Sequence, residues 1–408
     1  MFGFRRKQAQ GRAKAVVAAV GPGARRADGA KASATAGIAG RALPGGFARG
    51  GFAARDGGSL VRSGFLDNPI GFRAVRLIAE AAAGVPLVVS GSEGRYAAHP
   101  VADLLTSPNG SQGRAAFLES LYGQIVLSGD GFVEGVGDGV WPVELHVLRS
   151  DRMSVVPGPD GWPVGYDYVV GGAKHRFTVA ESSSICHVRT FHPTDDHHGL
   201  SPLRSAAVAI DVHNAAATWS KSLLDNAARP SGAIVNEGED LTEEQFERLS
   251  AELAAHHQGS RNAGRPLLLD GGLSWHPMGL SPADMEFRAI KESAAREVAT
   301  AFGVPPMLLG IPGDATYANY AEANRAFYRL TVLPLVARVA EALAAWLKSW
   351  NGAARDAGSA ETVMLAADRD RIPALQDERD AQWRRVAEAS FLSDAEKRRL
   401  LNLPVEEA

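Results

Sequence analysis

The chain has 408 residues, of which 45% are hydrophobic and 22% charged, with a formal net charge of −3. That length suits two to four domains with ample material for a core, and no apolar run approaches the ~20 residues needed to span a membrane. The single cysteine, Cys186, excludes an intrachain disulfide and a cysteine-built zinc site and suits a reducing compartment.

Residues 1–62 hold twelve Lys/Arg against Asp28 and Asp56, a balance of +10, so the remainder carries −13. This Gly/Ala-rich stretch lacks hydrophobic periodicity and reads as a disordered basic arm over 1–64, either a solvated tail or a contact for nucleic acid or an acidic partner. Its apolar part, AVVAAV, is too short for a secretory signal.

Order is expected from about Asp67. In DNPIGFRAVRLIAEAAAGVPLVV a cap is followed by Val75, Ile78, Ala79 and Ala82 at helical spacing, then a stop at Gly84 and a strand from Val85. Leu104 and Leu105 close a short helix before SPNG. Phe117, Leu121, Ile125 and the Val126/Leu127 pair line a longer helix that ends at Gly129. From 131 to 190, short β-branched and aromatic runs separated by PDG (Pro159 to Gly161) and Gly171–Gly172 predict an antiparallel meander.

GLSP then occurs twice, at Gly199 and Gly279. Ser201 and Ser281 are N-cap residues, and Pro202 and Pro282 suit the first helical position. The first helix is predicted over about Pro202 to Asn226, ~37 Å at 1.5 Å per residue. Its loose stripe is Leu203, Ala207, Ile210, Ala217 and Leu224. Residues 231–275 read as a βαβ-like insert whose middle helix is capped by Thr242, with Phe246, Leu249 and Leu253 inward and His256–His257 complementing the helix dipole at its end. The second GLSP helix carries Phe287, Ile290, Ala294, Val298 and Phe302, supported by a Glu292–Arg296 pair. Val304, Pro305 and Pro306 end it. A glycine-bearing loop leads to a long helix over about Asn319 to Trp350 with an expected kink at Pro334. A strand, TVMLAAD, and two C-terminal helices follow, the last opened by a capping box from Ser393 to Glu396.

Catalytic signatures are sparse. There is no GxxxxGK[ST], no HExxH and no GxGxxG, and GLSPL lacks the second glycine of a nucleophile elbow. The one constellation is HVRTFHPTDDHHG, where His187, His192, Asp195, Asp196, His197 and His198 could ligate a divalent metal and serve a DNA-processing enzyme. Its spacing matches no helix face, so the same residues also read as a polar connecting loop with no cofactor.

The segment AREVATAFGVPPMLLGIPGDATYANYAEANRAFYRLTVLPLVARVAEAL resembles the portal proteins of tailed bacteriophages, through Val298 to Gly310 and Thr316 to Ala323. NPIGFRAVRLIAEAAAGVPL, HPVADLLTSPN, GQIVLSGDGFVE, ICHVRTFHPTDDHHGLSPL, ARPSGAIV…LTEEQFERL and FLSDAEKRRLLNLPV match in the same order, over about residues 65 to 405. Similar portals occur in gene transfer agents. The resemblance implies an α+β, ring-forming portal fold. Its parts would be a wing over 65–200, stem helices over 201–229 and 281–303 and an α/β clip over 230–280. A tunnel loop over 304–318, a long kinked helix with returning wing strand over 319–372 and a crown over 373–408 would follow.

It also implies a structural, non-enzymatic ring, usually of twelve copies, at one capsid vertex of a virion or phage-like particle assembled in the bacterial cytoplasm. Double-stranded DNA would pass through the ring. Major capsid protein, terminase and head–tail adaptor would be its partners, with no membrane. Leu308, Leu309, Gly310, Ile311, Pro312, Gly313, Asp314, Ala315, Thr316 and Tyr317 would face the channel. Glu243, Glu244, Glu247, Arg248, His256, His257 and Arg261 would form the docking face of the clip. The acidic balance of the ordered part fits a wall along which a duplex slides, since a wall dense in Lys and Arg would hold DNA tightly.

Overall fold

A computed structural model describes residues 57–401 apart from 92–93, 97, 138–139, 180–182, 226–231, 237–241, 258–272, 278–286, 314–316 and 351–362. Helix begins earlier than the sequence implies. α1 (Gly57–Val61) continues into a π-helical turn, Arg62–Leu66. Leu60 is buried, and Gly64 packs so close to Leu203 and Ile210 that a Cβ there would overlap them. Residues 57–64 therefore belong to the folded body rather than to the arm, because their few apolar groups find partners distant in sequence. The basic residues before 57 lie outside the described residues.

α2 (Pro69–Gly84) is capped by Asn68, whose side-chain oxygen accepts from the N–H groups of Ile70 and Gly71. It buries Ala74, Val75, Ile78, Ala79 and Ala82, the expected stripe. β1 (Leu87–Gly91), β2 (Gly94–Arg95) and α3 (Pro100–Thr106) follow. α4 (Arg114–Ser128) buries Phe117, Leu121 and Ile125 and stops at Gly129, whose φ of 88° only glycine adopts freely.

The β region is not one meander. β3 (Asp130–Val136) and β4 (Glu144–Leu148) form a hairpin, and β5 (Met153–Pro157), β6 (Pro163–Val170) and β7 (Ala173–Thr178) form a separate antiparallel sheet turning where the glycines predict. β8 (Ile185–Arg189) then leaves β7 and pairs with the free edge of β3, giving the order β4-β3-β8. Burial explains the split. Phe132, Leu148 and Ile185 of the first sheet close over Met153 and Tyr166 of the second, forming a small core of their own.

The first GLSP helix is two pieces, α5 (Pro202–Ser205) and α6 (Ala207–Asp225), joined through Ala206. Ser201 caps it as expected, accepting from Leu203 N at 3.1 Å. Its buried line runs through Leu203, Ala206, Ala209, Ile210, His213 and Ala216, so Ala207 and Ala217 are not the core face. β9 (Gly232–Asn236), α7 (Glu243–His257) and β10 (Leu273–Pro277) form the insert, with the strands antiparallel. Thr242 and Gln245 form a reciprocal cap at the start of α7. Leu249 is half-buried, while the side chains of Phe246 and Leu253 lie outside the described residues.

α8 (Phe287–Ala301) buries Ala294, Ala295, Val298 and Ala299, but Ile290 is exposed. The second GLSP itself, with Ser281 and Pro282, lies outside the described residues. The expected Glu292–Arg296 pair is replaced by Arg288–Glu292 at 2.8 Å.

α9 (Tyr317–Phe327) and α10 (Leu333–Trp350) are one helical run joined by a π turn, Tyr328–Val332. The sequence places the interruption at Pro334. The ring nitrogen has no hydrogen to give the carbonyl four residues back, and the chain answers by widening the turn just upstream. The run Ala318–Trp350 is long and apolar enough to cross a membrane by length and composition. Its apolar face, however, is core: Val336, Val339, Ala340, Leu343 and Leu347 are buried, and the helix packs on β8, α2 and the later strand Met364–Ala367.

β11 (Met364–Ala367) pairs antiparallel with β1, returning the chain to its first strand. α11 (Gln376–Glu388) and α12 (Asp394–Leu400) end the described chain, with Ser393 and Glu396 forming the predicted capping box.

Candidate functional site

The first GLSP sits at a crossing of four elements. Gly199 passes so near Gly129 that a Cβ on it would lie 2.0 Å from the Gly129 carbonyl oxygen. That oxygen accepts from Thr190 N at 2.9 Å. Ser201 Oγ caps α5 and also contacts Val126 O at 3.2 Å, binding the helix start to the end of α4. The centre of the crossing is Asp130, buried on β3. Its Oδ1 accepts from Gly199 N at 2.9 Å and from His187 Nε2 at 2.9 Å. His187 stacks on Phe132 with ring centroids 4.2 Å apart. Two strands and the segment leading into a new helix thus share one buried carboxylate. Asp130 was not legible as important in the sequence; its only signal is an acidic residue set directly after a helix stop, inside an apolar strand.

A second polar junction ties α6 to the start of α2. Asn68 Nδ2 donates to Asn214 Oδ1 at 2.8 Å and approaches His213 Nδ1 at 3.3 Å, while Asn214 Nδ2 donates to Ser63 O at 2.8 Å. Burial, and secondarily the charge of Lys291, hold the His213 imidazole below its ordinary value of 6.5. The folded state therefore resists a proton that the unfolded chain accepts, so stability is full above about pH 6.5 and falls as pH drops below it. Urea midpoints at pH 7.5 and 5.5 should show a lower value at 5.5, with a smaller difference in His213→Gln.

α6 and α8 run antiparallel, with Trp219 near the end of one stacked on Phe287 at the start of the other, centroids 3.9 Å apart and rings 12° from parallel. After α8, Gly303 turns the chain and its carbonyl accepts from Thr331 Oγ1 at 2.6 Å. A 3₁₀ turn, Pro306–Leu309, follows. Of the residues expected to face a channel, Leu308 and Leu309 pack on the main core and Ile311 is buried against Ala295 and Ala299. Gly310, Pro312 and Gly313 are exposed. Asp314, Ala315 and Thr316 lie outside the described residues, as does the side chain of Tyr317, which opens α9. Half of the described loop is thus a packed shoulder, a consequence of apolar side chains finding a helix face beside them.

In the insert, Glu243, Glu244, Glu247 and Arg248 are all exposed on α7, consistent with a solvent-facing or partner-facing surface. His256 and His257 close α7, with side chains outside the described residues, as is Arg261. The start of α11 attaches to the long helical run through charge. Arg325 Nη1 pairs with Glu322 at 2.6 Å and its Nη2 with Asp377 at 3.1 Å, while Arg329 reaches Glu378 at 3.5 Å.

The histidine and aspartate residues considered for a metal do not converge. His187 is turned inward to Asp130. Asp195 Oδ1 accepts from His197 N at 2.8 Å and His198 N at 3.0 Å, closing the loop on itself. Asp196 lends its carbonyl to Arg189. Among the described residues no three His, Cys, Asp or Glu side chains are grouped to hold a metal ion.

Comparison with known proteins agrees over almost the whole described chain. A family model described as "Phage portal protein" matches residues 69–402. A Rickettsia bellii protein is 38% identical over 347 residues, covering 83% of this chain and 88% of its own. A probable portal protein of Streptomyces phage phiC31 is 27% identical over 279 residues, covering 66% and 61%. Among solved structures, a chain in the neck of a native gene transfer agent particle, obtained with C12 symmetry, is 61% identical with a TM-score of 0.65, covering 86% of this chain and 94% of that one.

Proposed function

This chain belongs to the phage portal protein family, and on that premise we propose that it forms a twelve-copy ring at one vertex of a phage or gene-transfer-agent capsid, through which double-stranded DNA enters and leaves. The likeness to a subunit of a C12 neck, at 61% identity over 94% of that subunit, carries this reading. The parts follow the chain order. α5–α6 and α8 are the stem, β9–α7–β10 the clip, the segment from Val304 to the start of α9 the tunnel loop, and α11–α12 the crown.

Apolar side chains stranded on the stem support it. Val208 is 52% and Ile290 43% exposed although both lie on helices with a well-filled inner face. A neighbouring copy packed alongside would cover them, as closed rings require of a head-to-tail surface. The exposed carboxylates of α7 suit docking of a motor or adaptor rather than DNA. The ring does no chemistry of its own, and a separate ATPase supplies the work of packaging. Terminase, the head–tail adaptor and the major capsid protein are the expected partners.

Electron microscopy of the assembled chain should show rings with an open bore. Particles produced without the chain should be empty of DNA. DNA-filled particles in its absence would end the proposal.

A further inference from the structure

Two contacts hold the shoulder of the loop to the stem. Ile311 inserts beside Ala295 and Ala299, and the guanidinium of Arg296, between them in sequence on the same helix, donates to the Pro312 carbonyl. A Cβ built on Gly313 would lie 3.5 Å from Arg296 Nη2, so the guanidinium also lies beside that residue. The backbone between is already folded, with Ile311 N donating to Pro306 O and Gly310 N to Met307 O, both at 3.2 Å. At the other end Thr331 pins Gly303.

We propose that Arg296 and Ile311 latch Pro305–Pro312 onto α8, so that this shoulder moves as one body with the stem and positions the loop that meets DNA. The side-chain choice made by Arg296 supports this. Glu292, one turn away at ideal i,i+4 spacing, is taken by Arg288 instead, which leaves Arg296 for the loop carbonyl. A charged donor to a carbonyl is stronger than a neutral one, and the buried isoleucine supplies the apolar part of the attachment. Arg296 is thus a positioning residue. The proposal rests on the portal reading for what the loop does, but not for how it is attached.

The test uses the full chain in assembled particles. Amide exchange at Gly310 and Ile311 should quicken about five- to tenfold in Arg296→Ala, an exposed site where the fold itself survives, and more in Ile311→Ala. Arg296→Lys, which can still donate, should restore part of the protection. DNA per particle should fall in Arg296→Ala while ring symmetry is unchanged, and recover partly with lysine. Unchanged exchange would overturn the latch. Faster exchange with normal DNA content would overturn its role in positioning. Should particles without the chain still fill with DNA, the portal reading fails, and the exchange result alone then decides whether the latch exists.

Discussion

Asp130→Ala lowers the stability of the chain by about 2–6 kcal/mol, since two buried donors each lose their acceptor at about 1–3 kcal/mol apiece. The cost comes from what remains. The His187 ring, stacked under Phe132 and edge-on to Tyr166, keeps its place but loses its only hydrogen-bond partner among the described residues. Gly199 N loses its buried acceptor as well. Asp130→Asn keeps an acceptor for Gly199 and forfeits only the charge, so it should cost less than half as much. Urea denaturation of purified protein measures both. The start of α5 should loosen first, visible as faster exchange at Leu203, whose amide depends on Ser201 at the same crossing. A loss below about 1 kcal/mol in the alanine variant would show that the crossing is held by its backbone contacts instead.

Val208→Glu together with Ile290→Glu abolishes ring assembly without unfolding the subunit. Both side chains are largely exposed within one copy, so a glutamate there changes monomer stability by no more than about 0.5 kcal/mol. In the proposed ring each would be driven into an apolar seam, and the penalty recurs at every interface, at several kcal/mol each. Analytical ultracentrifugation should show monomer at concentrations where the parent chain assembles, with unchanged urea midpoints. Rings formed by the double variant would place the stem's apolar residues outside the interface.

The caps at Ser201 and Thr242, the capping box Ser393–Glu396, the stop at Gly129 and the hairpin turns at Gly161 and Gly171–Gly172 were all readable from the sequence. Each rests on a φ angle or a hydrogen bond reaching no more than three or four residues, so neighbouring residues decide it. The family too was readable, because the order and spacing of many weak motifs is itself a local record. Only the tertiary structure could decide that β8 returns to β3 rather than extending a meander, that β11 closes on β1, and that the core face of α6 runs through Ala206 and Ala209 rather than Ala207. The same holds for the helical interruption at Tyr328–Val332, for Arg296 turning to Pro312, and for Asp130 joining His187 to Gly199. In each case several local geometries cost nearly the same, and the choice falls to burial and to polar groups brought together from distant parts of the chain, where a single unpaired donor outweighs any difference in propensity.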